Sequence, residues 1–270
     1  MRYQSEDAEL LALCTRAARA AADVIHAATP RVGALDWRSK GPTDFVTEVD
    51  LAAEEKIIEV FAKELPEAAI LAEETVNTTP PERLNRGLTV VADPLDGTTN
   101  FLHGYPEYAV SIAVLRDGRP VAAVVHDVPG AEIFTARAGG GCFLNGERCS
   151  VSATTDPQRA LIGTGFPFTN PDEIAPYQAQ MSKVMARVSG IRRPGAASID
   201  LASVACGRFD AFWENRLAPW DFAAGMLLVA EAGGVATDLA GARLPGTESS
   251  SVLAGGLVMH AWLQELLANA

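Results

Sequence analysis

With 270 residues, 48% of them hydrophobic and 21% charged, the chain is long enough to bury a self-sufficient core and too apolar to be disordered. Asp and Glu number 34 against 22 Lys and Arg, a net charge of −12 that repels polyanions and sets aside nucleic acid and anionic membrane as expected partners. An anionic substrate is admitted only where a bound cation reverses the local field.

Ser5 can cap a first helix, whose apolar stripe Leu10, Cys14, Ala17, Ala21 and Val24 stops before Pro30. A second helix is expected behind Asp50 as cap, with Leu51, Ile58, Phe61 and Leu65 on its apolar face and Pro66 as its stop. Short apolar runs at 69–72 and 88–92 each deliver acidic residues at their C-terminal ends. From Tyr108 the hydrophobic period changes from about 3.6 to about 2. Strands over 109–115, 121–128 and 132–138, joined by Asp117-Gly118 and Pro129-Gly130, read as an antiparallel meander, and Asn145-Gly146 adds another tight turn. Gly139-Gly140-Gly141 lies between two strands with no helix after it, so it reads as a hairpin turn and not as a phosphate loop.

After Val151 the pattern alternates. A strand at 161–166 precedes helices at 171–188 and 196–206; a strand at 209–213 leads to a helix at 219–232, closed by Gly233-Gly234. Phe212 and Trp213 read as core, and Trp220 as a core anchor beside Asp221. The chain thus divides into an α+β half, 1–150, and a smaller α/β half, 151–270. No linker separates them, so the pattern predicts one compact unit with any site in the groove between layers.

Four scattered cysteines (Cys14, Cys142, Cys149, Cys206), no C-x-x-C pair, a polar opening and no long apolar run suggest a reduced, cytoplasmic protein with no membrane partner. Four histidines without H-x-x-x-H spacing argue against a zinc hydrolase, and no P-loop signature occurs. The chemistry is carried instead by acids in four segments: Asp44-Phe-Val-Thr-Glu-Val-Asp50, Leu71-Ala-Glu-Glu-Thr75, Ala92-Asp-Pro-Leu-Asp-Gly-Thr-Thr-Asn-Phe101 and Pro219-Trp-Asp-Phe-Ala-Ala-Gly225. In the third, Pro94 fixes a turn after a Val-rich strand. That spacing can aim Asp93, Asp96 and the Leu95 carbonyl at one hard cation. Gly97-Thr98-Thr99 then opens a helical turn whose unpaired N–H groups suit a phosphate oxygen. Taken singly, Asp50, Asp96 and Asp221 would serve as helix caps, and Glu73-Glu74 as a solvated loop end.

Together these segments resemble the inositol monophosphatase family, within the lithium-sensitive, magnesium-dependent phosphatase superfamily that includes fructose-1,6-bisphosphatases. The resemblance rests on Asp93–Phe101 and on Trp220–Gly225 followed by Glu231-Ala-Gly-Gly234, reinforced by 44–50 and Glu73-Glu74. It implies a layered αβαβα sandwich and a homodimer. It implies that Glu73, Asp93 and the Leu95 carbonyl bind one magnesium and Asp93, Asp96 and Asp221 a second, with two or three ions per site. Thr98 and Asp50 would flank the attacking water together with Glu73, and the Gly97 and Thr98 amides would hold the phosphate. Glu214, Asp221 and the loop at Ala197 would meet the rest of the substrate. Ala196 stands where bacterial relatives usually carry a hydroxyl. Arg192-Arg193, Lys40 and His103 receive no catalytic role.

Electrostatics agrees with such a reading. Four carboxylates about 5 Å apart repel by roughly 3 kcal/mol per pair at an effective dielectric of about 20, and the six pairs together by on the order of 20 kcal/mol, which cations relieve. All-oxygen donors suit magnesium. The expected activity is hydrolysis of inositol 1-phosphate or a similar small polyol phosphate. Histidinol phosphate, fructose 1,6-bisphosphate and 3′-phosphoadenosine 5′-phosphate are the rival substrates; Glu214 and Leu217-Ala218-Pro219 look more like the inositol monophosphatase branch than the nucleotidase branch. A rival of another class is a non-catalytic regulatory protein on the same fold. The clustered, mutually repelling acids speak against it.

Overall fold

Long amphipathic helices at the start and period-two strands after them sort into layers. α1 (Arg2–Ala28) and α2 (Glu48–Glu64) flank the hairpin of β1 (Trp37–Gly41) and β2 (Asp44–Thr47). β3 (Ala69–Ala72), the single turn α3 (Pro81–Leu84), β4 (Leu88–Asp96) and the single turn α4 (Thr98–Leu102) follow. The meander comprises β5 (Ala109–Arg116), β6 (Arg119–Asp127), β7 (Glu132–Arg137), β8 (Gly141–Leu144) and β9 (Glu147–Cys149). The rest forms β10 (Leu161–Thr164), α5 (Ile174–Met185), β11 (Gly190–Arg192), α6 (Ala197–Ala205), β12 (Ala211–Leu217), α7 (Pro219–Glu231), β13 (Val235–Thr237), β14 (Ser250–Gly255) and α8 (Leu257–Ala268). This computed structural model describes residues 2–34, 37–41, 44–75, 79–168 and 170–268; the side chains of Lys40 and Asp44 lie outside the description.

The larger sheet has seven strands in the order β3-β4-β5-β6-β7-β8-β9, the smaller five in the order β11-β10-β12-β14-β13. Among the described residues only β3–β4, β10–β11 and β10–β12 pair in parallel. α1 and α2 cover one face of the larger sheet, where Cys14, Ala21, Ile25, Ile57 and Phe61 pack on Val90, Val110 and Val114. α6 and α7 lie between the sheets, so Leu201, Val204, Phe222 and Leu228 join Val91 and Phe134 of one to Phe212 and Val252 of the other. Buried on both sides, these two helices are apolar nearly all round. Their close approach needs Gly225, where a Cβ would come within 2.5 Å of Leu201. α5 and α8 close the outer face of the smaller sheet over Trp213 and Leu253. The result is an αβαβα sandwich.

Several local expectations are corrected. α1 starts at Arg2, so Ser5 lies within the helix and caps nothing. Thr47, not Asp50, is the N-cap of α2, and Asp50 is the N3 acid of its capping box. The buried face differs as well: Leu51 is 52% exposed, and Ile57 is fully buried in place of Ile58. Asp221 likewise occupies N3 behind Ala218. β4 does not end at Asp93 but runs on to Asp96, and the smaller sheet's strands and α5 keep different bounds from those expected, α5 being preceded by a 3₁₀ turn at Pro171–Glu173.

Candidate active site

β4 carries an irregularity that the motif needs. Asp93 pairs with Ser111 and Asp96 with Ala109, so three steps on β4 oppose two on β5. A strand without this bulge would put residues three apart on opposite faces. The extra residue resets the phase: Leu95 packs with the α1–α2 core, and Asp96 returns to the face of Asp93. Pro94, which has no N–H to give the ladder, is suited to the bulge.

Three other elements converge on that face. Glu73 follows β3, its N–H bound to Ala92 O at 3.2 Å, and lines the cleft. Asp221 in the first turn of α7 accepts from Ala218 N at 2.8 Å. The first turn of α6 supplies Ser198, whose N and Oγ donate to Asp96 Oδ2 at 2.8 and 2.5 Å. Asp93 Oδ1 is held by Leu95 N at 2.9 Å. Burial, and then Glu73, Asp96 and Asp221 in turn, hold the Asp93 carboxyl well above the ordinary range. Burial and the same neighbours lift Asp221, with Asp96 ahead of Glu73. Asp96 is pushed up to about 6 by burial, against the pull of the Ser198 hydrogen bonds.

Among the described residues no three His, Cys, Asp or Glu side chains form a ready-made ion cage. The donor chemistry nonetheless fits hard cations. Asp93, Asp96 and Asp221 are each anchored through one oxygen by a neighbouring N–H, a carboxylate has capacity for further partners, and all three sit within mutual electrostatic reach of Glu73.

Beside the acids, Gly97 turns the chain into α4 with φ +92°, and a Cβ there would lie 2.7 Å from Glu107 O. Thr98 Oγ1 lies 2.9 Å from Asp50 Oδ1 and 3.0 Å from Leu95 O, so its single proton is offered to one of two acceptors. Asp50, fully buried, also receives Thr47 N and Oγ1 on its other oxygen, at 2.9 and 2.5 Å. Burial raises its carboxyl, opposed by those bonds.

The cleft, about 610 Å³, runs from Glu73 and Gly97–Asn100 to Glu214, Asp221 and an aromatic rim of Phe166 and Phe168, over both of which the Arg193 guanidinium lies. Glu214 is pushed up to about 8 by burial, with Arg193 pulling the other way. Its carboxyl fills the space a Gly165 side chain would take, 2.1 Å from that Cβ position. Ala197 and Gly195 line a smaller recess with Asp96, Asp200, Glu214 and Asp221. Trp220, expected as a core anchor, packs partly on the central core and also lines the cleft. Arg193 is exposed and stands at the cleft mouth; His103 is exposed and does not line the cleft.

The sequence reading missed Ser198, Thr47 and the work of Asn100, whose Nδ2 donates to Glu107 O at 2.8 Å and Pro194 O at 3.0 Å, tying the Gly97 turn to the loop before α6. It also missed Asp200, whose Oδ1 is buried without a partner. Thr47 was legible as a Thr three residues before an acid; the others act across long sequence separations.

A layered sandwich with acids from four elements gathered at one cleft defines a class, and residues 6–270 match the model of the inositol monophosphatase family. The chain belongs to that family. Its relatives include the Nus factor SuhB of Pseudomonas aeruginosa, 45% identical over 87% of each chain. Another is the inositol-1-monophosphatase of Rhizobium meliloti, 44% identical over 84% of each. Among solved structures, the extragenic suppressor protein suhB of Bartonella henselae superposes with a TM-score of 0.89 at 38% identity, covering 96% of this chain and 98% of that one. The inositol monophosphatase from Anabaena gives 0.85 at 32%, covering 100% and 98%.

Proposed function

We propose that this chain is a magnesium-dependent phosphomonoesterase acting on inositol 1-phosphate or a similar small polyol phosphate. The observation that carries the reading is the β4 bulge, which turns Asp93 and Asp96 to one face opposite Glu73 and Asp221. Divalent cations held by Glu73, Asp93, the Leu95 carbonyl, Asp96 and Asp221 would supply the positive charge that favours a phosphate ester, an acidified water and a departing alkoxide. The Gly97 and Thr98 amides hold the phosphate. Thr98 Oγ1 accepts a proton from the incoming water as it hands its own to Asp50, whose raised affinity for protons suits a relay. Glu214 and Asp221 accept hydrogen bonds from leaving-group hydroxyls, with the Ala197 loop as the facing wall.

The test is turnover of inositol 1-phosphate and p-nitrophenyl phosphate with and without magnesium. Activity that persists unchanged in EDTA overturns the mechanism. Asp93→Asn is expected to lower turnover by about a hundredfold or more while the circular dichroism spectrum stays that of the parent; full activity in that variant removes Asp93 from the cation site. Turnover ratios across small phosphate esters test the polyol assignment separately.

A second reading is favoured by the names of relatives from Pseudomonas, Salmonella and Escherichia, which are Nus factors. In it the chain serves as a partner of other macromolecules, and the exclusion of nucleic acid rests on net charge alone. Function retained in Asp93→Asn, once turnover is lost, favours this reading. We also assign the chain a homodimer, in line with its family. Of the described residues, Phe166, Phe168, Ile174 and Met185 form an exposed apolar face around a cavity of about 720 Å³, of the kind a second copy covers. No helix among the described residues is long and apolar enough to cross a membrane.

A further inference from the structure

The edge of the larger sheet farthest from β3 carries two thiols in direct opposition. β8 and β9 pair Cys142 with Cys149, and their Sγ atoms lie 3.3 Å apart. Asn145 (φ +50°) and Gly146 (φ +85°) make the two-residue turn between these strands, which fixes the register and leaves the thiols no slack to slide apart. Directly opposed positions of an antiparallel pair hold their Cα atoms about 4.5 or about 5.5 Å apart, both within the span a disulfide bridges.

We propose that Cys142 and Cys149 are a dithiol oxidation site, at which hydrogen peroxide converts the pair to a cross-strand disulfide. The surroundings assign each sulfur a role. Cys149 is half-buried and open to a small oxidant, whereas Cys142 is fully buried in the central core. Cys149 sulfur attacks one peroxide oxygen; the O–O bond breaks, leaving a sulfenic acid on Cys149, and the thiol proton leaves with the departing oxygen as water. Cys142 sulfur then attacks the Cys149 sulfur. The S–S bond forms, the S–O bond breaks, and the Cys142 proton departs with that oxygen as a second water. Two thiols have lost two electrons and one peroxide has gained them, giving one disulfide and two waters. Fully buried, Cys142 is shielded from the oxidant, so Cys149 meets it first and Cys142 is left as the resolving partner. Cys206, half-buried at the C-cap of α6, is a third thiol close enough to influence Cys142 and is the natural competitor.

The sequence makes the test direct. Trypsin cuts after Arg137, Arg148 and Arg159, so Cys142 and Cys149 fall on separate fragments, 138–148 and 149–159, while Cys206 falls on 193–208. The full-length protein is treated with hydrogen peroxide, remaining thiols are alkylated, and the denatured chain is digested without reductant for mass spectrometry. Expected is a 138–148/149–159 pair joined by a disulfide, released by reductant, absent from Cys149→Ser and retained in Cys206→Ser. Cys149 recovered as sulfinic acid beside a free Cys142, a link from either thiol to 193–208 in its place, or thiols that all remain alkylatable would each overturn the assignment.

Discussion

Glu214 shows how much one half-buried carboxyl on a cleft wall can weigh. Its group is held at about 8 against the ordinary 4.5, and Asp96 at about 6 against 3.8, both chiefly by burial. Both therefore bind protons more tightly in the folded chain than in the unfolded one. Their contribution to stability is fully present at low pH and is lost as pH rises through those folded values. With divalent ions chelated, the melting temperature is expected to fall between about pH 5 and about pH 8, and Glu214→Gln, which cannot ionise, should flatten the part above about pH 6. A melting temperature that climbs over this window, or a variant with the parent's slope, contradicts the raised carboxyl of Glu214. Asp93, Asp96, Gly97 and Thr98 were open to sequence reasoning because they sit in one short segment whose residue types fit no core. Ser198 was not: its bond to Asp96 spans 102 positions, and nothing in Ala-Ala-Ser-Ile marks it.

At the level of elements, the turn into α4 is the most constrained. Gly97 combines a left-handed φ of +92° with a Cβ position 2.7 Å from Glu107 O. Gly97→Ala must strain the backbone or shift the Glu107-Tyr108 segment before β5, at a cost of about 1–3 kcal/mol. It also displaces amides assigned to the phosphate, so kcat/KM should drop by about a hundredfold. Steady-state kinetics at parental levels would remove the turn from phosphate binding. The hairpins of the meander were legible because Asp-Gly and Asn-Gly pairs adopt positive φ at both positions, as Asp117, Gly118, Asn145 and Gly146 do. The β4 bulge was not, since Pro94 in a sequence reads equally well as a strand end. Nor was the face of α2: Ile57 and Ile58 are adjacent and alike, and only packing shows that Ile57 is the buried one. The strands β13 and β14 and helix α8 went unread, α8 being apolar on most sides.

The whole molecule adds an expectation about association. Ile174, Phe168 and Met185 are 43%, 55% and 64% exposed along one apolar face. Sedimentation should return a dimer for the parent chain and a monomer for Met185→Glu; a parent that stays monomeric at every concentration ends the dimer assignment. The layer order itself followed from family resemblance and not from hydrophobic period, because periodicity reports which face of an element is buried and not which element buries it. α6 and α7 lie deep between two sheets, and their uniform apolarity marks them as buried without saying where.

That central position of α7 has a consequence for the chain as it is made. A nascent polypeptide carries Glu73, Asp93 and Asp96 well before Asp221 is synthesised, and until α7 docks one wall of the acidic basin is missing. The hydrolysis proposed above therefore awaits Asp221, at position 221 of 270, and a copy cut short before α7 is expected to lack it.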